Sequence, residues 1–146
     1  GLLNSLQGLS DPIAALVARR KKAVELAAMQ AVMEKEAESG YLPVDVSRDN
    51  LGWDIESAIP GTGKLRFIEV KGRIEGAETV TVSKNEILAG LNKPEDYFLA
   101  VAEVTFAIEK ARVKQLHYIF HPFNKEPDFA ATSVNYNWEE LLNYAA

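Results

Sequence analysis

With 146 residues and 47% hydrophobic content, the chain has the size of one ordinary domain, and a second core has little room. It holds no cysteine, which excludes disulfides and thiolate metal sites. A net charge of −5 argues mildly against nucleic acid, although Lys64, Arg66, Lys71, Arg73 and Lys84 gather in a stretch whose local balance is more favourable.

No apolar run approaches the length of a membrane span, and Gly1-Leu2-Leu3-Asn4-Ser5 lacks the regions of a signal peptide. A chain that starts at Gly1 reads as a piece of something longer, with residues 1–10 a tag remnant or linker and a cytoplasmic setting.

Asp11-Pro12 is a helix start, and Ile13, Leu16, Val17, Val24, Ala27, Ala28, Ala31 and Val32 recur at helical spacing up to the stop at Gly40. The spacing predicts one long helix, or two joined near Arg19-Arg20-Lys21-Lys22, a quartet that reads as a solvated face. Residues 52–57 and 64–71 flank Ile59-Pro60-Gly61-Thr62-Gly63 and predict an antiparallel hairpin. A third strand over 79–82 leads into Ser83-Lys84-Asn85-Glu86, a capping box opening a helix to about Asn92. Residues 97–106 and 115–120 predict two more strands, separated by a charged turn at Glu109-Lys110-Ala111-Arg112, and Asn137-Trp138-Glu139-Glu140 opens a final short helix. The mixture predicts an α/β fold, with a central mixed sheet of about five strands flanked by helices.

Alternation along the second hairpin strand puts Leu65, Phe67, Glu69 and Lys71 on one face and Arg66, Ile68 and Val70 on the other. A turn symmetric about Gly61-Thr62 sets Asp54 directly across from Glu69. Opposed Cβ atoms lie roughly 5 Å apart, close enough for two carboxylates to share a cation that relieves their repulsion. Oxygen ligands favour a hard ion, Mg²⁺ or Mn²⁺, with a substrate phosphate and waters completing its shell. Lys71 beside such an ion would orient a water or stabilise developing negative charge. The competing reading is a salt-bridge ladder on a solvated strand, which the apolar Leu65 and Phe67 on the same face oppose.

Asp54 and Glu69-Val70-Lys71 resemble the PD-(D/E)xK nuclease superfamily, with Trp53 where its name calls for proline. Asp45-Val46-Ser47, Asn50 to Ser57, Phe67 to Gly72 and Val82 to Glu86 are similar, more specifically, to the domain named after the C-terminus of the plant protein NO VEIN. That resemblance spans about residues 20 to 140 and implies a restriction-endonuclease-like core. It implies Asp54, Glu69 and Lys71 as catalytic residues, with Asp54, Glu69 and the Val70 backbone carbonyl holding the metal. A glutamate from the first helix joins them in many members, here Glu36 first and Glu25 second. Lys64, Arg66, Arg73 and Lys84 would face nucleic acid. Similar domains in bacteria and archaea follow helicases tied to restriction and phage defence. The resemblance thus implies a Mg²⁺- or Mn²⁺-dependent nuclease acting on DNA beside the helicase portion of its parent chain, in a prokaryotic cytoplasm. The alternative is a catalytically silent module of the same fold that binds nucleic acid or docks a protein.

Pro60-Gly61-Thr62-Gly63-Lys64 is a turn rather than a P-loop, since Ala58 and Leu65 stand where that motif needs glycine and a hydroxyl residue. His117 and His121 fall in and after a strand, where their spacing does not converge on a metal. Glu86 is explained by its capping box and otherwise stands near the site's periphery.

Overall fold

The computed structural model describes residues 11–108 and 110–143; the expected linker at 1–10 and Glu109 of the expected turn lie outside them. Helix α1 runs unbroken over Asp11–Glu38 and closes on bonds from the Gly40 N–H to the Ala37 carbonyl and from the Tyr41 N–H to that of Glu36. Strands β1 (Leu42–Asp45), β2 (Ile55–Ile59) and β3 (Lys64–Ile74) follow, then β4 (Thr79–Ser83), α2 (Lys84–Asn92), β5 (Tyr97–Ala107), β6 (Lys110–Phe120), β7 (Ser133–Asn137) and α3 (Trp138–Leu142). The central sheet has the order β1-β2-β3-β5-β6, with β3 parallel to β5 and every other neighbour antiparallel.

The sheet therefore has the expected class and strand number but a different membership. Its extra strand is β1, while β4, expected in the sheet, pairs instead with β7 in a separate two-stranded ribbon. The segment expected as a charged turn belongs to β6, which starts at Lys110 because β5 and β6 close tightly around Ile108, in a left-handed backbone conformation at φ 51°.

Period-2 alternation divides the side chains of β3 between two cores. On one face α1 sets Val24, Ala28 and Val32 against Ile68, Ala100, Ala102 and Val104. On the other, Tyr97, Leu99 and Val101 pack under Ile87 of α2, Trp138 and Leu141 of α3, and Val80 and Val82 of the ribbon. A Cβ at Gly72 would lie 2.7 Å from Val24 Cγ1, so α1 crosses β3 at a closeness only glycine permits.

Strand β2 ends early. It covers β3 only from Lys64 to Ile68, and from Glu69 to Ile74 β3 is paired on its β5 side alone. The side of β3 left free by β2 is where the polar residues converge.

Candidate metal centre

The hairpin register places Ile55 opposite Ile68 and Ile59 opposite Lys64, which puts Asp54 across from Glu69, as the turn symmetry requires. Asp54 stands one residue before β2. Its N–H still donates to the Ile68 carbonyl at 2.9 Å, and its Oδ2 accepts the Val70 N–H at 2.9 Å, replacing the backbone partner that β2 no longer supplies. Because a strand residue sends its N–H and C=O to the same side, the Val70 carbonyl leaves β3 towards this opening as well.

The loop that delivers Asp54 is held from two sides. Tyr97, fully buried, donates its hydroxyl to the Gly52 carbonyl at 2.9 Å. Gly52 itself adopts φ 98°, and a Cβ there would meet Ala89 Cβ of α2 at 2.7 Å. Beside the loop, Asp45 accepts the Ser47 N–H and hydroxyl at 2.9 and 2.7 Å, which hold its carboxyl below the usual range.

Glu69 is buried, and its Oε2 has no hydrogen-bond partner. Lys71 Nζ lies 3.9 Å from that oxygen, too far for a hydrogen bond, and 2.9 Å from Glu86 Oε1. Burial, reinforced by the adjacent Glu86 and Asp54 carboxyls, pushes the Glu69 pKa up to about 12. Glu86 moves the opposite way: burial raises it, but the contacts with Glu69, Lys71 and the Ser83 N–H outweigh that and bring it below its ordinary value. Its position is fixed by the anticipated capping box, in which the Ser83 N–H donates to Glu86 Oε1 at 2.9 Å and the Glu86 N–H donates to Ser83 Oγ at 3.2 Å.

Together these groups line a cavity of about 390 Å³, where Asp54, Glu69, Lys71 and Glu86 meet Lys22 and Glu25 of α1. The donor set suits a hard divalent ion: the facing carboxyls of Asp54 and Glu69, the latter with its buried Oε2, and the Val70 backbone carbonyl. Among the described residues no three His, Asp or Glu side chains form a complete cage, so such an ion would draw its remaining ligands from water and substrate.

Several expected residues sit elsewhere. Glu36 is buried on the opposite sheet face, where it accepts Arg66 Nε and Nη2 at 2.8 and 3.2 Å and the Tyr118 hydroxyl at 2.9 Å. Glu36 lies about three helical turns beyond Glu25 on α1, which sets it over Arg66 rather than at the cavity. The helix glutamate in the cavity is Glu25, the second choice. Arg66 is spent on Glu36 and lies 4.4 and 4.1 Å from the Tyr41 and Phe98 ring centres. Arg73 is buried 4.2 Å from the Trp138 ring, with Glu103 at 3.7 Å. Lys64 is exposed at the hairpin turn, and Lys84 bonds the Phe129 carbonyl at 3.2 Å. None of these four basic residues lines the cavity; Lys22 and Lys71 do. Lys22 was hidden in the basic quartet, and Glu86, set aside as a cap, is Lys71's closest partner.

The family model described as "Protein NO VEIN, C-terminal" matches residues 24–119, a span that runs from α1 to β6 and contains Asp54, Glu69, Lys71 and Glu86. The chain belongs to the NO VEIN C-terminal family. A comparison with curated proteins finds no match. Of the segments that carry the family resemblance, Asp45 and Ser47, Asp54, β3 and Glu86 of the cap border this cavity, whereas the ribbon strand β7 and α3 lie beyond the matched span.

Proposed function

We propose that this domain is a divalent-metal-dependent nuclease of PD-(D/E)xK type that hydrolyses DNA phosphodiester bonds. In this reading it is an accessory module of a helicase-containing parent chain, serving DNA processing or phage defence in a prokaryotic cytoplasm. The observation that carries the reading is the pairing of Asp54 with a buried Glu69 whose Oε2 is unmet, beside an ammonium at the free edge of β3. Two carboxyls that face each other, one of them buried and next to a third acid, repel unless a proton or a cation lies between them, and a divalent ion would answer that need. The helicase association rests on the resemblance of the Asp54, Glu69-Val70-Lys71 and Ser83–Glu86 segments to helicase-fused domains.

Asp54, Glu69 and the Val70 carbonyl would hold Mg²⁺ or Mn²⁺, an ion that when bound polarises the scissile phosphate and lowers the pKa of the attacking water. Asp54 has a second task, since its bond to the Val70 N–H fixes the backbone that aims Val70 and Glu69. Glu86 holds Lys71 at the cavity wall, from which the ammonium stabilises charge developing on the phosphoryl oxygens. The capping box anchors Glu86 and sets the N-terminus of α2, a positive dipole end, at the same wall.

Supercoiled and single-stranded DNA incubated with the domain and Mg²⁺ or Mn²⁺ test this directly. The reading expects cleavage that Glu69→Ala and Lys71→Ala each abolish. Cleavage persisting in both variants, or none by the wild type beside its parent protein, would overturn it.

A further inference from the structure

The cavity at Asp54 and Glu69 is one of three in a row. On the α2 side it shares Ser47, Asp54, Glu69 and Glu86 with a second cavity of about 430 Å³. That one shares Trp53 and Asn85 with a third, of about 690 Å³, which runs along α2 to Lys93. The three adjoin through these shared residues and form a track, with the two carboxylates at one end and an aromatic and aliphatic chamber at the other.

Chemistry changes along it. Charged groups dominate the first cavity, whereas Asn50, Ser83 and Asn85 supply neutral hydrogen-bonding groups in the second. In the third, Leu51 and Leu88, each 40% exposed, offer apolar surface that the fold does not use. Trp53 forms part of its wall, set edge-on against Phe67 at 4.8 Å, and Lys93 Nζ lies 4.5 and 5.4 Å from the Phe67 and Trp53 ring centres. These walls are already rigid, because Gly52 is wedged on Ala89 and its carbonyl is held by Tyr97. Flat apolar surface, an indole, a cation and amide groups are what a nucleobase meets in a single-strand site.

The charge count selects the form of substrate. Proteins that grip duplex DNA do so through about six to ten phosphate contacts. Along the three cavities the cations are Lys22, Lys71 and Lys93, outnumbered by Glu25, Asp45, Asp54, Glu69, Glu86 and Glu126, with Lys71 already bonded to Glu86. That is too few for a duplex and suits a short length of single strand held largely by its bases.

We propose that the track binds single-stranded nucleic acid, with an unpaired base lodged between Trp53, Leu51 and Leu88 at the end away from the two carboxylates. This rests on the nuclease reading and adds its substrate form. The affinity depends weakly on salt, with a log–log slope no steeper than about −2, the limit if all three lysines met phosphates of a single strand.

Fluorescence anisotropy in Ca²⁺ buffer tests it, using a labelled 12-mer oligothymidylate, the same backbone with abasic residues, and a blunt 12-base-pair duplex. The oligothymidylate should bind about tenfold or more tighter than either of the others. Leu88→Asp and Lys93→Ala, at exposed and half-exposed positions, should each weaken it by about fivefold or more with an unchanged circular dichroism spectrum. Duplex or abasic binding as tight as oligothymidylate, folded variants at wild-type affinity, or no binding of any probe would overturn the proposal; the last would favour a protein segment as occupant. Oligothymidylate binding without cleavage under Mg²⁺ or Mn²⁺ would sink the nuclease reading and leave the track standing. Duplex cleavage indifferent to both variants would do the reverse.

Discussion

Two glutamates near the same strand meet opposite fates. Glu36 is the more buried, yet both its oxygens accept hydrogen bonds, from the Arg66 guanidinium and the Tyr118 hydroxyl. Glu69 faces Asp54 and Glu86, has its nearest ammonium at 3.9 Å, and keeps one oxygen bare. The first arrangement ties α1, β3 and β6 together and is complete. The second sets Glu69 among other acids, so that it holds a proton unless a cation takes its place. Burial alone therefore does not distinguish a structural acid from a functional one; the sign and distance of the neighbours do.

The largest expected difference between them is in cleavage. Glu69→Gln should reduce the rate by about 10³-fold or more, while Glu36→Gln leaves the rate per folded molecule within about threefold, measured on an oligonucleotide with Mn²⁺. Stability should separate them in the other direction. Glu36→Ala strands Arg66 in a half-buried pocket and should cost about 3–5 kcal/mol in urea denaturation, whereas Glu69→Gln in chelator should gain about 1–3 kcal/mol by removing an unmet carboxyl.

A smaller effect lies in pH. The folded Glu69 pKa, about 12, stands above the ordinary 4.5, so its favourable contribution is complete below about pH 4.5 and is lost progressively as pH rises towards 12. Glu86, lowered from the same 4.5, contributes above that value and loses its contribution as pH falls through its folded pKa. Metal-free wild type should therefore lose thermal stability between pH 6 and 9, and Glu69→Gln should flatten that slope. A steeper slope in the variant would mean that Glu69 is already ionised and paired.

Much of this contrast was open to sequence reasoning. The turn around Gly61-Thr62 determined that Asp54 faces Glu69, and the Ser83/Glu86 spacing determined the cap. Glu36 was misplaced for a definable reason. Glu25 and Glu36 are eleven residues apart, three helical turns, so they share a helix face, and only their separation along the axis, about 16 Å, puts one at the cavity and the other over Arg66. Strand alternation already set Arg66 opposite to Glu69, a cation awaiting an acid from α1. The β4–β7 ribbon was less accessible, since Ser133–Asn137 is a short polar strand whose partner lies some fifty residues earlier and no local pattern links them. Arg73 read as a surface base because nothing local announces Trp138 above it.

Calorimetric titration of Mn²⁺ into the metal-free domain, in two buffers of different ionisation enthalpy, tests the unmet-carboxylate account most directly. Wild type should bind the ion with release of protons, because Glu69 must ionise to serve as a ligand; Glu36→Gln should do the same, and Glu69→Gln should lose binding by about 10²-fold or more. Equal binding by wild type and Glu69→Gln, or no binding by wild type, would contradict it.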